Sequence, residues 1–388
     1  MNNLNVGGAE KALISLLQTI NYSLYDVDLQ LFQNKGVFLV QLPRQVNLLP
    51  EIETFSYYDM PGIKAVFTML KRGKFRTLIN RLAARKVFAS SKNAAVKEQL
   101  LWNYISPCVP ASTKTYDAAL GFLEKTPAYY VVDKVNAAIK IGYIQNDYDM
   151  LGMDEAFDEP YFKKLKYIVT CAPECKVVLD RRFPDKKDKI VVIENIVSPK
   201  LINNFSLEET DENFPHTVNI VSVGRLENQK GYDLAVEALR MVKDAQQDFH
   251  WFILGEGSLQ NDLQRQIKEL GLQESVTFVG VKENHYPYLR QADIFMQTSR
   301  FEGKSIAIEE AKIMAKPIVV TRFSTVKDQI EDGETGIIAD MNPQGIAEKL
   351  MQLIADPNLR DQLSANLKSE KLGNEEEIYK LYRLIDGQ

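Results

Sequence analysis

The sequence predicts an α/β protein made of two doubly wound parallel halves. Three observations carry that prediction. From residue 218 onward, short apolar runs alternate with amphipathic segments without a break. Several of those runs end in glycine, where a buried parallel strand turns towards its helix. A polar, acidic stretch, SPKLINNFSLEETDENFPHT (198–217), sets this regular half apart from a less tidy first half.

The second half reads element by element. VNIVSVG (218–224), FHWFILG (249–255), SVTFVG (275–280), IFMQTS (294–299) and PIVVTR (317–322) are apolar enough to be strands covered on both faces. GYDLAVEALRMVKDA, SLQNDLQRQIKELG, the short HYPYLRQAD and SIAIEEAKIMA carry apolar residues at helical spacing, and a helical tail starts near 343. In the first half AEKALISLLQTI is helical, with Ala12, Leu13, Leu16, Leu17 and Ile20 on one face. VDLQLF, YDAALGF, IKIGYI, YIVTC and KIVVIEN read as strands. MNNLNV is too short and polar to be the strand that should feed the glycine turn of such a domain, so the first strand is expected to be missing, with a start too far downstream as one explanation. The expected division is 1–200, 201–370 and a C-terminal helix in 371–388 that packs back on the first domain.

Composition narrows the function. A chain of 388 residues with 45% hydrophobic and 26% charged residues can bury large cores without disulfides. A net charge of −5 gives no bulk attraction for nucleic acid. No run is apolar enough to span a membrane, and the N-terminus has no signal-peptide pattern, so a cytoplasmic location is expected. Cys108, Cys171 and Cys175 read as reduced, structural thiols, and His216, His250 and His285 are scattered, so no metal is assigned. Residues 64–97 stand apart, with ten Lys/Arg and no acid. Phe67, Leu70, Leu78, Ile79 and Leu82 recur there at helical spacing, Phe75 stands close by, and Gly73 interrupts. Two readings stay open: a solvated helix pair packed on its own domain, or a basic amphipathic face for anionic lipid or an anionic acceptor.

Three constellations carry chemistry. Gly7 and Gly8 open a helix, where backbone can approach a ligand and unpaired N–H groups face an anion. In SVGRLENQKG (222–231), Gly224 is followed by Arg225 and Lys230, two cations past the carboxyl end of a strand, where open α/β sheets bind ligands. In FEGKSIAIEEA (301–311), Glu302 and Glu310 flank seven residues, Gly303 permits close backbone approach, and Ser305 is placed to cap the following helix. Glu309 is expected to be solvated, and Glu310 to be a partly buried carboxylate suited to sugar hydroxyls. The Gly-x-Gly of LGEGSLQ (254–260) is discounted as a dinucleotide motif because Gln260 stands at the third glycine position.

On these segments, and on GGAEKAL and IGYIQNDYD in the first half, the chain resembles the GT-B glycosyltransferases of glycosyltransferase family 4 over nearly its whole length. Within that family it is most similar to bacterial enzymes that build capsule, exopolysaccharide or teichoic-type glycans. The resemblance implies two Rossmann-like domains facing a cleft, no metal or other cofactor, and retention of anomeric configuration. It implies a UDP-sugar donor and a glycan acceptor, lipid-linked, with the protein peripheral on the inner membrane face. It places Arg225 and Lys230 on the donor diphosphate, Glu310 on the ribose and Glu302 at the donor sugar. It also places the backbone of Gly303, Lys304 and Ser305 on sugar and phosphate, and Gly7 and Gly8 on the diphosphate. Gln145 stands where relatives carry His. Its amide can serve on the sugar or acceptor side but cannot carry a proton. Two other readings stay open: a non-catalytic glycosyltransferase-like partner subunit, and transfer to protein serine.

Overall fold

The computed structural model describes every residue except Val6, Ser91, Asn213, residues 215–217 and Gln388. The expected connection 198–217 is thus only partly among the described residues, and His216 is outside them. Packing divides the chain into two units. Unit 1 holds Met1–Asn5, Leu16–Glu194 and Glu376–Gln388, and unit 2 holds Val6–Ser15 and Asn195–Glu375. The helix Gly8–Thr19 therefore starts in unit 2 and ends in unit 1.

Unit 1 contains six parallel strands in two sheets. β1 (Asp28–Leu29) pairs with β2 (Asn47–Leu48). β3 (Thr115–Gly121), β4 (Asn136–Ile144), β5 (Tyr167–Thr170) and β6 (Ile190–Val192) form the second sheet in that order. Asp28 ties the two sheets, accepting from Lys114 Nζ at 2.8 Å and from the Tyr116 hydroxyl at 2.9 Å. As expected for MNNLNV, no strand is formed by residues 1–5. The segment is nevertheless tied down by backbone: Phe32 N–H donates to Met1 O at 3.1 Å, Gln33 N–H to Asn2 O at 3.0 Å and Leu4 N–H to Lys35 O at 2.9 Å. Met1 and Leu4 are buried, so two apolar residues suffice to anchor a short polar segment. VDLQLF yields only the two-residue β1, and beyond it Gln30 and Phe32 bond to Met1. At the other end of the unit, the Asn21 N–H donates to the Tyr382 hydroxyl at 2.8 Å, and Tyr382 stacks on Tyr25.

Unit 2 is built on one sheet of β7 (Val218–Val223), β8 (Phe249–Leu254), β9 (Val276–Gly280), β10 (Ile294–Gln297), β11 (Ile318–Thr321) and β12 (Ile337–Ala339). The order is β12-β11-β10-β7-β8-β9, all parallel. The chain winds outward from β7 to β9, crosses back, and winds the other way from β10 to β12. That is the doubly wound order, and its reversal lies between β7 and β10. Both faces of the sheet are buried, which is why its strands read as unbroken apolar runs. Ile220, Trp251, Ile253, Met296, Val319 and Ile337 pack with the helices Tyr232–Asp244 and Pro343–Ala355. Val221, Phe252, Leu254, Phe295, Val320 and Ile338 pack with Ile308 and Ala311 of the helix Ile306–Ile313. β12 was not expected, because three residues are too few to show a period.

The turn after β8 explains its glycines without a ligand. Gly255 has φ +140°, and a Cβ there would stand 2.0 Å from the Gly224 carbonyl oxygen. Gly257 is equally confined by the backbone of Leu226. The Gly-x-Gly lets this turn cross the loop that carries Arg225 and Lys230.

Residues 64–97 form the helices Gly62–Lys71, Phe75–Ala83 and Arg85–Phe88 and the start of Ala94–Ile105, with the chain breaking around Gly73. Ala65, Met69 and Thr77 face inward, where Tyr57 and the partly buried Leu78 complete a small core. Ile63, Phe67, Leu70, Phe75, Ile79, Leu82 and Phe88 face out, with Ile63 at 78% exposure, Phe67 at 70% and Ile79 at 67%. Arg81 turns inward to the carbonyl oxygens of Tyr57 and Met60, so it is not part of the surface charge. Cys171 directly follows β5, and Cys175 lies on the helix Pro173–Arg182; both are buried and free. Contact with Cys171, together with burial, pushes the Cys175 thiol far up.

Gly255→Ala forces an L side chain into a glycine-only region and against backbone. The expected loss is more than about 2 kcal/mol of stability, read from the urea midpoint. An unchanged midpoint would contradict the packing described for this turn.

Candidate active site

The loops after β7 and β10 leave the sheet side by side at the order reversal. They are laced together before any ligand is considered. Thr298 Oγ1 donates to the carbonyl oxygens of Lys230 and Gly231, both at 3.0 Å. Arg300 N–H donates to Gln229 O at 2.7 Å, and the Arg300 guanidinium grips Asp233 with two bonds of 2.8 and 2.6 Å. Gly231 makes this possible. Its φ is +62°, and a Cβ would stand 2.2 Å from Thr298 O. The lacing brings Lys230 Nζ to 2.7 Å from Glu302 Oε1. Ser299 Oγ also donates to that oxygen at 2.6 Å, and Gln297 Nε2 lies 3.3 Å from it. Gly224 leaves room for the Lys230 stem, since a Cβ there would stand 3.1 Å from Lys230 Cε.

Ser305 belongs to the same network, but not as the expected cap. It occupies the N-cap position, yet its hydroxyl donates to Gln297 Oε1 at 2.8 Å, while its N–H donates to Gln329 Oε1 at 2.8 Å. Glu309 is not simply solvated either. Its carboxylate accepts from Gln329 Nε2 at 2.7 Å and lies 3.9 Å from Lys304 Nζ. Gly303 is buried between these groups.

Glu310 forms a second cluster. It is buried on the helix Ile306–Ile313, as its apolar neighbours in sequence suggest. Its carboxylate is already engaged: Lys11 forms an ion pair with Oε1, Tyr286 Oη donates to Oε1 at 3.1 Å, and His285 Nε2 donates to Oε2 at 2.7 Å. Burial alone would raise the Glu310 pKa. The Lys11 charge and the His285 ring overcome that and hold it down at about 2. Burial lowers the pKa of His285, so the ring is neutral at pH 7 and its proton sits on Nε2 to serve the carboxylate.

Other expected residues are placed differently. Arg225 is exposed, and among the described residues its guanidinium has no partner. Gly7 and Gly8 stand at the start of the helix Gly8–Thr19; Gly8 is exposed, with open space where a Cβ would be. Gln145 lies in unit 1, just past β4. It is buried, and neither side-chain atom has a hydrogen-bond partner. Its N–H donates to the buried Glu124 carboxylate at 2.9 Å, which also accepts from Asn146 Nδ2 at 3.1 Å. Sequence reasoning missed Lys11, Glu124, His285 and Tyr286. Lys11 had a signal, since it follows Gly7–Gly8 within one helical turn, and His285 had only its rarity. Among the described residues no three His, Cys, Asp or Glu side chains converge as a metal site would need.

Comparison with known proteins bears on this geometry. Residues 208–370 match the family model of group 1 glycosyl transferases. Over 378 residues the chain is 24% identical to an α-1,4-N-acetyl-D-galactosaminyltransferase of Campylobacter jejuni named for a glycan on PP-undecaprenol; the match covers 94% of this chain and 90% of that one. Over 260 residues it is 25% identical to an uncharacterized glycosyltransferase, MJ1059, of Methanocaldococcus jannaschii, covering 58% of this chain and 64% of the relative's length. The structure of Anabaena Alr3699/HepE in complex with UDP-glucose superposes with a TM-score of 0.65 at 14% identity, over 100% of this chain and 98% of that one. The fold is GT-B, an α/β architecture of two Rossmann-like domains, as the sequence predicted.

The Glu310 cluster predicts a pH signature. The folded pKa lies below the unfolded one, so its stabilisation is complete above about pH 4.5 and is lost as the pH falls towards 2. That pH-dependent part amounts to about 3 kcal/mol. In thermal unfolding, Glu310→Gln is expected to differ most from wild type at pH 5 to 7, with the gap narrowing below pH 4. A gap independent of pH would contradict an ionised Glu310.

Proposed function

We propose that the protein is a retaining, metal-independent glycosyltransferase. It moves a hexosyl or N-acetylhexosaminyl group from a UDP-sugar to a lipid-linked glycan acceptor in bacterial cell-surface polysaccharide synthesis. The observation that carries this reading is the meeting of Lys230 and Glu302 at the order reversal of a doubly wound sheet, where such sheets receive ligands. The group 1 match over the same unit and the UDP-glucose complex of a structural neighbour support it.

In this reading the C1–O bond to the diphosphate breaks while the acceptor oxygen forms its bond to C1 on the same face. The acceptor proton passes to the departing phosphate oxygen. Negative charge grows on the diphosphate, and cations placed beforehand stabilise it most effectively. Lys230 and the exposed Arg225 supply two charges, and the N-terminus of the helix Gly8–Thr19 adds about half of one. Glu302 has two tasks: it fixes Lys230 and it receives hydroxyls of the donor sugar. Backbone groups of Gly303, Lys304 and Ser305 line the sugar and phosphate, and Gly8, which no packing requirement confines, leaves room for the diphosphate. Glu310 holds the ribose. In unit 1 the unpartnered Gln145 carboxamide both donates and accepts, which suits a sugar or acceptor hydroxyl.

The outward apolar row from Ile63 to Phe88, set among Lys64, Lys71, Lys74, Arg76, Arg85 and Lys86, favours the lipid reading of residues 64–97. Among the described residues no helix is long and apolar enough to cross a membrane. We place the protein on the cytoplasmic membrane face through these helices.

Two outcomes test these readings. Lys230→Ala is expected to lower turnover of UDP-sugars, followed by mass spectrometry, more than tenfold, the loss of a charge-assisted contact of about 1.5 to 3 kcal/mol. Unchanged turnover would remove the assignment. The double variant Phe67→Ser/Ile79→Ser is expected to lose sedimentation with phosphatidylglycerol vesicles while UDP affinity stays the same. Unaltered sedimentation would remove the membrane surface.

A further inference from the structure

The Glu310 carboxylate has little capacity left. A carboxylate offers about four acceptor positions, and three are filled, by Lys11, Tyr286 and His285. The side chain is 2% exposed, so a diol cannot reach both oxygens while all three donors stay. The donors are not equivalent. His285 and Tyr286 are adjacent residues at the start of the short helix Tyr286–Gln291, with rings 4.6 Å apart, and both are held by packing. Lys11 is a compact ammonium on a flexible stem, reaching in from the first turns of the helix Gly8–Thr19. It sits 3.1 Å from His285 Nε2, a nitrogen that already donates to Glu310 and has no lone pair for it. It also lies 4.1 Å from the centre of the Tyr286 ring. Of the three, Lys11 has the least to lose by leaving.

We propose that Lys11 is a displaceable counter-ion and a specificity-determining residue of the donor site. In the empty site it occupies Glu310. When a nucleoside diphosphate enters, the ribose hydroxyls take its place on the carboxylate, and the freed ammonium, four residues after Gly7, turns to a phosphate oxygen. The ammonium exchanges a carboxylate for a phosphate, while the carboxylate keeps its bonds from His285 and Tyr286 and gains those of the diol. The exchange rewards a ligand that carries both a diol and a phosphate. A nucleoside without phosphate must displace Lys11 and leaves it without a new partner. This inference rests on the ribose role proposed for Glu310.

The test is calorimetric titration of the full chain with uridine and with UDP, using wild type, Lys11→Met and Lys11→Arg. Lys11→Met removes the competing charge but keeps an unbranched side chain of similar length. It is expected to bind uridine at least fivefold more tightly and UDP at least fivefold more weakly than wild type, while Lys11→Arg keeps the wild-type order. An equal loss for both ligands in Lys11→Met would make Lys11 merely structural and overturn the proposal. Unchanged affinities for both would overturn it as well. Wild-type protein that binds neither ligand would instead overturn the nucleotide reading of the site, and the exchange with it.

Discussion

The close approach of Lys230 to Glu302 is the constraint on which the active-site reading depends. It exists because two loops from opposite halves of one sheet leave it next to each other, and because Thr298 and Arg300 lock the loop of Lys230 against the loop of Glu302. Gly231 is the hinge of that lock, in a backbone conformation and a space that leave no room for a side chain. The pair is also built without flexibility. Glu302 is supported by Ser299 and Gln297, which hold the carboxylate that Lys230 meets.

Much of unit 2 was legible in the sequence because a parallel sheet covered on both faces must be written as apolar runs. Five of its strands and the helices between them follow directly from that pattern. The site was partly legible for the same reason: Gly224, Lys230, Glu302 and Glu310 sit at strand ends and in the first turns of a helix, positions that local sequence marks. What was not legible depends on contacts distant in sequence. Lys11 meets Glu310 across nearly three hundred residues, and nothing near Gly7–Gly8 names its partner. The role of Ser305 was misjudged because capping is a local rule, and here Gln297 and Gln329 compete for its polar groups. The N-terminal segment forms no strand, and its backbone bonds to residues 32–35 were not legible because they too join positions far apart in sequence.

The two carboxylates expected to bind donor are each matched by a lysine, one on the loop after β7 and one on the first helix. Buried ion pairs of this kind contribute little net stability, since desolvation offsets attraction. Their value lies elsewhere. Desolvation pushes a buried carboxylate towards its protonated form, and a nearby cation opposes that. At Glu310 the Lys11 charge keeps the buried carboxylate ionised in the empty site.

The seven large apolar side chains on the basic helices have a consequence for the protein outside the cell. In dilute aqueous buffer that face has nothing to cover it, and its cations repel like faces only while salt is low. Raising ionic strength removes the repulsion and strengthens apolar association together, so the ordinary remedy for a sticky basic protein works in the wrong direction here. A mild detergent, by sheltering the row from Ile63 to Phe88, is the additive that suits the chemistry of this surface.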